Sequence, residues 1–187
     1  MPPLESTMQP LGSMLPTFDL PDTRDGSRVC SSDFVGRPVL VMFLCNHCPF
    51  VQHVRKQLVQ LGCDYASSPL AIIAISSNDP ISHPMDAPAH MSEEARDAGY
   101  TFPYCFDATQ DIARAFDAVC TPDYFVFNAQ HQLAYRGRLD ASRPTSEVPV
   151  NGKELRAAIN QLLAGKAPSA NQMPSIGCSI KWKLLAK

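Results

Sequence analysis

The chain has no apolar run near the ~18 residues needed to cross a membrane, and neither sign of charge prevails in it. Its 187 residues carry 16 Lys and Arg against 18 Asp and Glu, a formal net charge of -2. Without clustered basic residues, a general nucleic-acid or anionic-membrane surface is excluded, so neither is expected as a partner. The basic residues near the end, Lys181, Lys183 and Lys187, read as a solvated terminus. The opening, MPPLESTMQPLGSMLP, lacks a basic n-region and a continuous apolar h-region, so no secretory signal is expected. There is no internal repeat and no linker long enough to divide the chain. Tryptophan is nearly absent: Trp182 stands alone and is expected to anchor the tail. What is present is ordinary core material, 45% apolar against 18% charged, enough for a folded domain. A chain of this size buries roughly 70% of its unfolded surface. One domain is expected over 1–187, with a core of about 12–165 and a tail of 166–187.

Cysteine is the exception to this scarcity of special residues. Seven are present: Cys30, Cys45, Cys48, Cys63, Cys105, Cys120 and Cys178. A secreted disulfide scaffold favours an even set in a shorter chain. An odd set with one close pair suits a reducing compartment and a catalytic or metal-binding role, so the expected location is cytoplasmic.

Along the chain, residues 18–35 alternate loosely about Asp25-Gly26 and predict a β-hairpin. Val39-Leu40-Val41-Met42-Phe43-Leu44 is apolar and too short for a helix, so it reads as a buried strand. After Pro49 the period changes. Phe50, Val54, Leu58 and Leu61 recur every three to four residues, which is an amphipathic helix with proline at its first position. A second buried strand follows at Leu70–Ile75, and strand, helix, strand in that order is a βαβ unit. The proline-rich stretch Asn78–Met91 reads as loop, with His83 and His90 facing solvent. Short helices fit Ser92–Ala98 and Thr109–Phe116. Tyr124–Phe127 and Leu133–Gly137 form an antiparallel pair. A last helix carries Leu155, Ile159, Leu162 and Leu163 and stops at Gly165. The remainder, from Ala167, reads as irregular.

Cys45-Asn46-His47-Cys48 sits where the first buried strand hands over to the helix. A helix N-terminus offers unpaired N–H groups and partial positive charge, which favour a thiolate. A cysteine there has its pKa lowered from ~8.5 to between about 3.5 and 7.5, and a protonated His47 would add to the effect. With His47 and His53, the cysteines could instead offer sulfur and nitrogen to Zn or Cu. No second CxxC or HxxxH follows at finger spacing, so no metal site is expected.

The placement of the CxxC motif in a βαβ unit resembles the thioredoxin superfamily. The signature Cys-Asn-His-Cys-Pro-Phe-Val resembles its AhpC/TSA-type, peroxiredoxin-like and thioredoxin-like branch. Phe18-Asp19-Leu20-Pro21-Asp22 is similar to that branch's N-terminal hairpin. Phe102-Pro103-Tyr104 with Phe106-Asp107 is similar to its inserted segment, and Gly177-Cys178-Ser179-Ile180-Lys181-Trp182-Lys183 to a tail of the same group. The resemblance implies an α/β, thioredoxin-like fold: a mixed central sheet flanked by helices, an N-terminal β-hairpin and an irregular C-terminal tail. It also implies that Thr121-Pro122 is a cis-proline pair facing the cysteines and presenting backbone to substrate.

Two readings of the cysteine pair stay open. As the usual CxxC, Cys45 attacks and Cys48 resolves. Laid without gaps on the thioredoxin strand, Cys48 takes the nucleophile's position, and Pro49 favours this by making Cys48 the N-cap. Cys120 and Cys178 are candidate resolving thiols, Cys178 in cis or from a partner subunit of a homodimer. Cys30, Cys63 and Cys105 read as packing residues. The pattern departs from both families. The peroxiredoxin hydroxyl position falls on Met42 or Cys45, and the buried thioredoxin aspartate falls on Met42. The expected activity is thiol–disulfide exchange on a protein or small-molecule disulfide, with an external thiol reductant and no organic cofactor. The alternatives are a thiol peroxidase acting on peroxide and a non-catalytic metal- or partner-binding module.

Overall fold

The computed structural model describes residues 3–184. In chain order its strands and helices are β1 (Leu4–Glu5), β2 (Asp19–Pro21), β3 (Arg28–Cys30), β4 (Val39–Phe43), α1 (Pro49–Asp64), β5 (Ala71–Ser76), α2 (Pro88–Ala98), β6 (Tyr104–Phe106), α3 (Asp111–Ala115), β7 (Cys120–Thr121), β8 (Asp123–Phe127), β9 (Leu133–Gly137), α4 (Lys153–Leu163) and β10 (Ile176–Ser179). The central sheet has the order β6-β5-β4-β8-β9. β5 runs parallel to β4, and β6 parallel to β5, while β8 and β9 are antiparallel to their neighbours. This is the mixed sheet flanked by helices of the thioredoxin-like fold.

The sheet's period of two explains its burial. All five residues of β4 are buried, because both faces are covered. Leu40 and Met42 face a layer with Val54, Leu58 and Leu61 of α1 and Leu155 and Ile159 of α4. Val39, Val41 and Phe43 face the other layer, with Phe116, Phe125 and Phe127. There Phe116 meets Phe43 edge-on at 5.3 Å between ring centroids. Each such side chain, fully buried, contributes about 1.5–3 kcal/mol before conformational entropy is counted. The result is a rigid strand whose last residues deliver Cys45 and Cys48 to the start of α1.

The hairpin is present as β2 and β3, turning at Gly26 with φ +78°. It forms its own two-stranded sheet and touches the central one through an Asp22–Cys105 bridge. Three local expectations are corrected. The loop read over Asn78–Met91 gives way to helix at Pro88, not Ser92; the proline read as a breaker occupies the first turn, where its missing N–H costs nothing. Cys63 is exposed on α1 and is not a residue of the buried core. The third correction is the tail. It is irregular on either side, but Ile176–Ser179 is the strand β10, lying between β1 and β7 in a three-stranded sheet. Beyond it Trp182 sits under the Arg114 guanidinium, 4.7 Å from the ring centroid. Lys187 lies outside the described residues.

Candidate active site

Pro49 begins α1 and Cys48 is its N-cap, in extended conformation with φ -73° and ψ 121°. Cys48 makes no side-chain hydrogen bond to the helix start, although its place there lets the Val51 amide help lower its pKa. Cys45, three residues earlier, and Cys178 pack in the same apolar layer as Cys48. The Cys48 thiol donates to the carbonyl oxygen of Thr121 at 3.2 Å. Cys45 in turn lies 3.1 Å from Thr121 Oγ1, so a hydroxyl does reach the thiols, from β7 and not from β4. Both sulfurs are shielded: Cys45 is 1% exposed and Cys48 0%.

The two thiols diverge in acidity. Hydrogen bonding from Cys45, then from Cys178 and the Val51 and Cys178 amides, outweighs burial and lowers the Cys48 pKa to about 5. Cys45 is held well above the ordinary thiol range, first by its bond to Cys48, then by burial and by the charge of Asp86. This is the thiolate and proton-donor division that thiol–disulfide chemistry uses.

Asn46 and His47 do not touch the sulfurs through polar bonds; they fix the loop. The Asn46 amide donates to Asp86 Oδ1 at 2.8 Å, its side-chain nitrogen to the Met85 carbonyl at 2.9 Å, and its side-chain oxygen accepts from the Tyr104 hydroxyl at 3.1 Å. His47 Nδ1 lies 2.5 Å from Asp86 Oδ2. The His47 ring stacks on His83 at 4.8 Å, so His83 is half-buried and does not simply face solvent. His90 pairs with Glu93 on the surface of α2.

Asp86 is the residue that sequence reasoning missed. It is fully buried and also accepts from Asn78 Nδ2 at 2.8 Å. Burial pulls its pKa up, but the His47 and Asn78 hydrogen bonds, the His47 charge and the Asn46 amide outweigh it and leave the carboxyl below its ordinary value. The only signal in the sequence was an acid inside a proline-rich segment, which by itself reads as a solvated loop. The ligand atoms of Cys45, His47 and Asp86 lie within 4.8 Å of one another and could offer sulfur, nitrogen and oxygen to a metal. Asp86 would first have to give up donors that already fill its oxygens. His53, the other ligand candidate, is not in that cluster; it lines a small cavity with Pro122, Tyr124 and Arg138.

The Thr121-Pro122 peptide bond is cis, and the Thr121 backbone faces the thiols. Its strand edge is paired with β10, Cys178 opposite Thr121 and Ser179 opposite Cys120. Cys120 is fully buried, and burial together with the charges of Asp123, Cys48 and Cys178 pushes its thiol pKa up. Asp123, directly after Pro122, is a second buried carboxyl; burial drives its pKa far above the ordinary value.

The AhpC/TSA family profile matches residues 11–136, two strands past the thiols and the Thr121-Pro122 pair. The chain belongs to the AhpC/TSA family. This AhpC/TSA protein is similar over its whole length to an uncharacterized conserved protein from Geobacillus kaustophilus, with 46% identity, TM-score 0.97 and coverage of 100% of this chain and 99% of that one. It is similar to a hypothetical protein from Sinorhizobium meliloti 1021, with 39% identity, TM-score 0.93 and coverage of 96% and 98%. A thiol:disulfide interchange protein of the thioredoxin family from Chlorobium tepidum shares the fold at 18% identity, TM-score 0.64 and coverage of 83% and 99%. No curated protein matches the AhpC/TSA chain. No helix among the described residues is long and apolar enough to cross a membrane.

Proposed function

We propose that this AhpC/TSA-family protein is a thiol–disulfide oxidoreductase in which Cys48 attacks and Cys45 resolves. The observation that carries the reading is the N-cap position of Cys48, beside the Thr121 backbone, with its thiol acidified while that of Cys45 is held high. The Cys48 thiolate attacks one sulfur of a protein or small-molecule disulfide; the other substrate sulfur leaves as a thiolate and takes up a proton. Cys45 then gives up its proton and attacks Cys48 Sγ, releasing the second substrate thiol and leaving a Cys45–Cys48 disulfide. Two electrons have passed to the substrate, and an external thiol reductant returns them. Asn46 and His47 act through the loop: Asp86 holds both, and so holds Cys45 and Cys48 in register. Thr121 supplies a hydroxyl to Cys45; its backbone, which with Pro122 would face substrate, is covered by β10 and becomes available when that strand moves aside. The single domain over 1–187 and a reducing, cytoplasmic setting fit seven cysteines that are all free thiols.

A redox titration read by thiol trapping and mass spectrometry tests this reading. A reversible Cys45–Cys48 disulfide is expected, with thiolate absorbance in the ultraviolet appearing near pH 5 in wild type and absent there in Cys48→Ser. Titration of Cys45 below Cys48 would reverse the assignment. A peroxidase reading, in which peroxide oxidises Cys48 to a sulfenic acid and Cys45 condenses with it, draws support from membership of the AhpC/TSA family. Peroxide consumption with a thiol reductant, without reduction of a disulfide substrate, would favour it.

A further inference from the structure

The tail does more than cover the site. β10 lies along the Thr121 edge, and position 177 is glycine because nothing larger fits: a Cβ there would stand 1.9 Å from the Thr121 carbonyl oxygen and 3.1 Å from Pro122 N. That close approach sets the next residue, Cys178, opposite Thr121, whose carbonyl is itself 3.2 Å from Cys48 Sγ. The Cys178 side chain packs against the same apolar layer as Cys45 and Cys48, and its thiol and amide help lower the Cys48 pKa. Cys120, also on this sheet, is fully buried, and burial and the charges around it, that of Cys48 among them, raise its own pKa.

The strand is pinned at both ends. Before it, the Ser6 amide donates to the Ser175 carbonyl at 2.9 Å, the Ser175 amide to Ser6 Oγ at 2.9 Å, and Ser175 Oγ to the Gly137 carbonyl at 2.7 Å. After it, the Lys181 amide donates to Asn78 Oδ1 at 2.8 Å, and the Lys181 carbonyl accepts from the Asp79 amide at 2.8 Å. Cys178 is thus a fixed neighbour of Cys48 and not a residue of a loose end.

We propose that Cys178 is a third redox thiol of this site, built into the chain on β10, which resolves Cys48 into a Cys48–Cys178 disulfide. The inference rests on the reading of Cys48 as nucleophile. Its step starts from Cys48 joined to a low-molecular-weight thiol R as a mixed disulfide. Cys178 loses its proton and attacks Cys48 Sγ; the Cys48–S–R bond breaks, the Cys48–Cys178 bond forms, and RS⁻ leaves with the proton. Burial first, and then the bond to Cys48 and the Cys48 charge, hold the Cys178 thiol at about 12 in the reduced protein. Once Cys48 is in a disulfide it carries no charge and accepts no thiol proton, so two of those three causes are gone.

The test uses glutathione disulfide on the full-length chain, with thiol trapping and peptide mapping of wild type, Cys45→Ser, Cys45→Ser/Cys178→Ser and Cys45→Ser/Gly177→Ala. In Cys45→Ser, a Cys48–Cys178 disulfide is expected to accumulate with release of the glutathione. The double serine variant is expected to retain glutathione on Cys48. Gly177→Ala touches no sulfur but lifts β10 off Thr121, so the Cys48–Cys178 link should form severalfold more slowly. Circular dichroism confirms that each variant is folded, and Cys45→Ala replaces Cys45→Ser if the hydroxyl is not tolerated. The proposal is overturned if Cys45→Ser keeps its glutathione adduct as the double variant does, while wild type still forms Cys45–Cys48. If wild type forms neither that disulfide nor an adduct at Cys48, the underlying reading falls and takes this one with it.

Discussion

Two carboxyl groups, Asp86 and Asp123, are both 0% exposed, and their pKa values are shifted in opposite directions. Asp86, at the end of the short turn Pro84–Asp86, receives the Asn46 amide, the Asn78 side chain and His47, and stays ionised. Asp123, at the junction of β7 and β8, accepts from its neighbour's amide at 3.1 Å, with the Ser6 and Ser175 hydroxyls beside it. Its Oδ2 has no partner among the described residues. Burial alone would neutralise both; what separates them is the number of N–H groups aimed at each and a histidine beside one of them. An ionised Asp86 can orient a ring and hold two backbone amides of the thiol loop. Asp123, with its pKa driven up by burial, resists ionisation where Asp86 does not.

Removing Asp86 is the largest way to break this contrast. Asp86→Ala leaves the donors of Asn46, His47 and Asn78 facing a void and is expected to cost about 3 kcal/mol in a denaturant titration. It should also loosen the loop and slow formation of the Cys45–Cys48 disulfide. A loss under 1 kcal/mol, on this same scale, would show that the network is incidental.

The pH dependences sharpen the contrast, because their signs differ. Asp86 has a lowered pKa, so its stabilisation is present above the ordinary carboxyl range and is lost as pH falls through the folded value. Asp123 has a raised pKa, so stability is complete below the ordinary range and falls as pH rises toward the folded value. Asp123→Asn is therefore expected to be more stable than wild type at neutral pH, with the gap closing in acid. Thermal unfolding across that interval reads the difference directly, and a pH-independent gap would mean that Asp123 is ionised in the folded chain.

The smallest effect is expected from His47→Ala. His47 is 26% exposed, and Asp86 keeps its other donors, so about 1 kcal/mol is expected. If the loss equals that of Asp86→Ala, the pair and not the carboxylate is what holds the loop.

Much of this arrangement could be read from residue order, and the rest could not, for physical reasons. The buried strand, CxxC and amphipathic helix are local patterns, each set by side-chain period over a few residues, so β4, Cys48 and α1 were legible together. Pro49 even marked Cys48 as the N-cap. Asp86 was not legible, because its role depends on a contact with Asn46 and His47 some forty residues away, and nothing in Pro-Met-Asp-Ala-Pro distinguishes a buried acid from a solvated one. β10 failed for a related reason. Ile-Gly-Cys-Ser is short, weak in β propensity and without an alternating pattern, and becomes a strand only because β1 and β7 flank it.

The glycine that seats β10 has a kinetic consequence. A strand tied to its own site by the chain from Leu163 to Ile176 behaves as a tethered competitor, present at an effective concentration on the order of millimolar or more. Any extended polypeptide that pairs with Thr121 must displace it, so its apparent affinity is its intrinsic affinity multiplied by the small fraction of time the edge is vacant. A small disulfide that never pairs with the edge is spared that factor. Under the proposed exchange reaction, the tail is therefore expected to favour small disulfides over extended polypeptides, to a degree set by how firmly four residues hold to their neighbours.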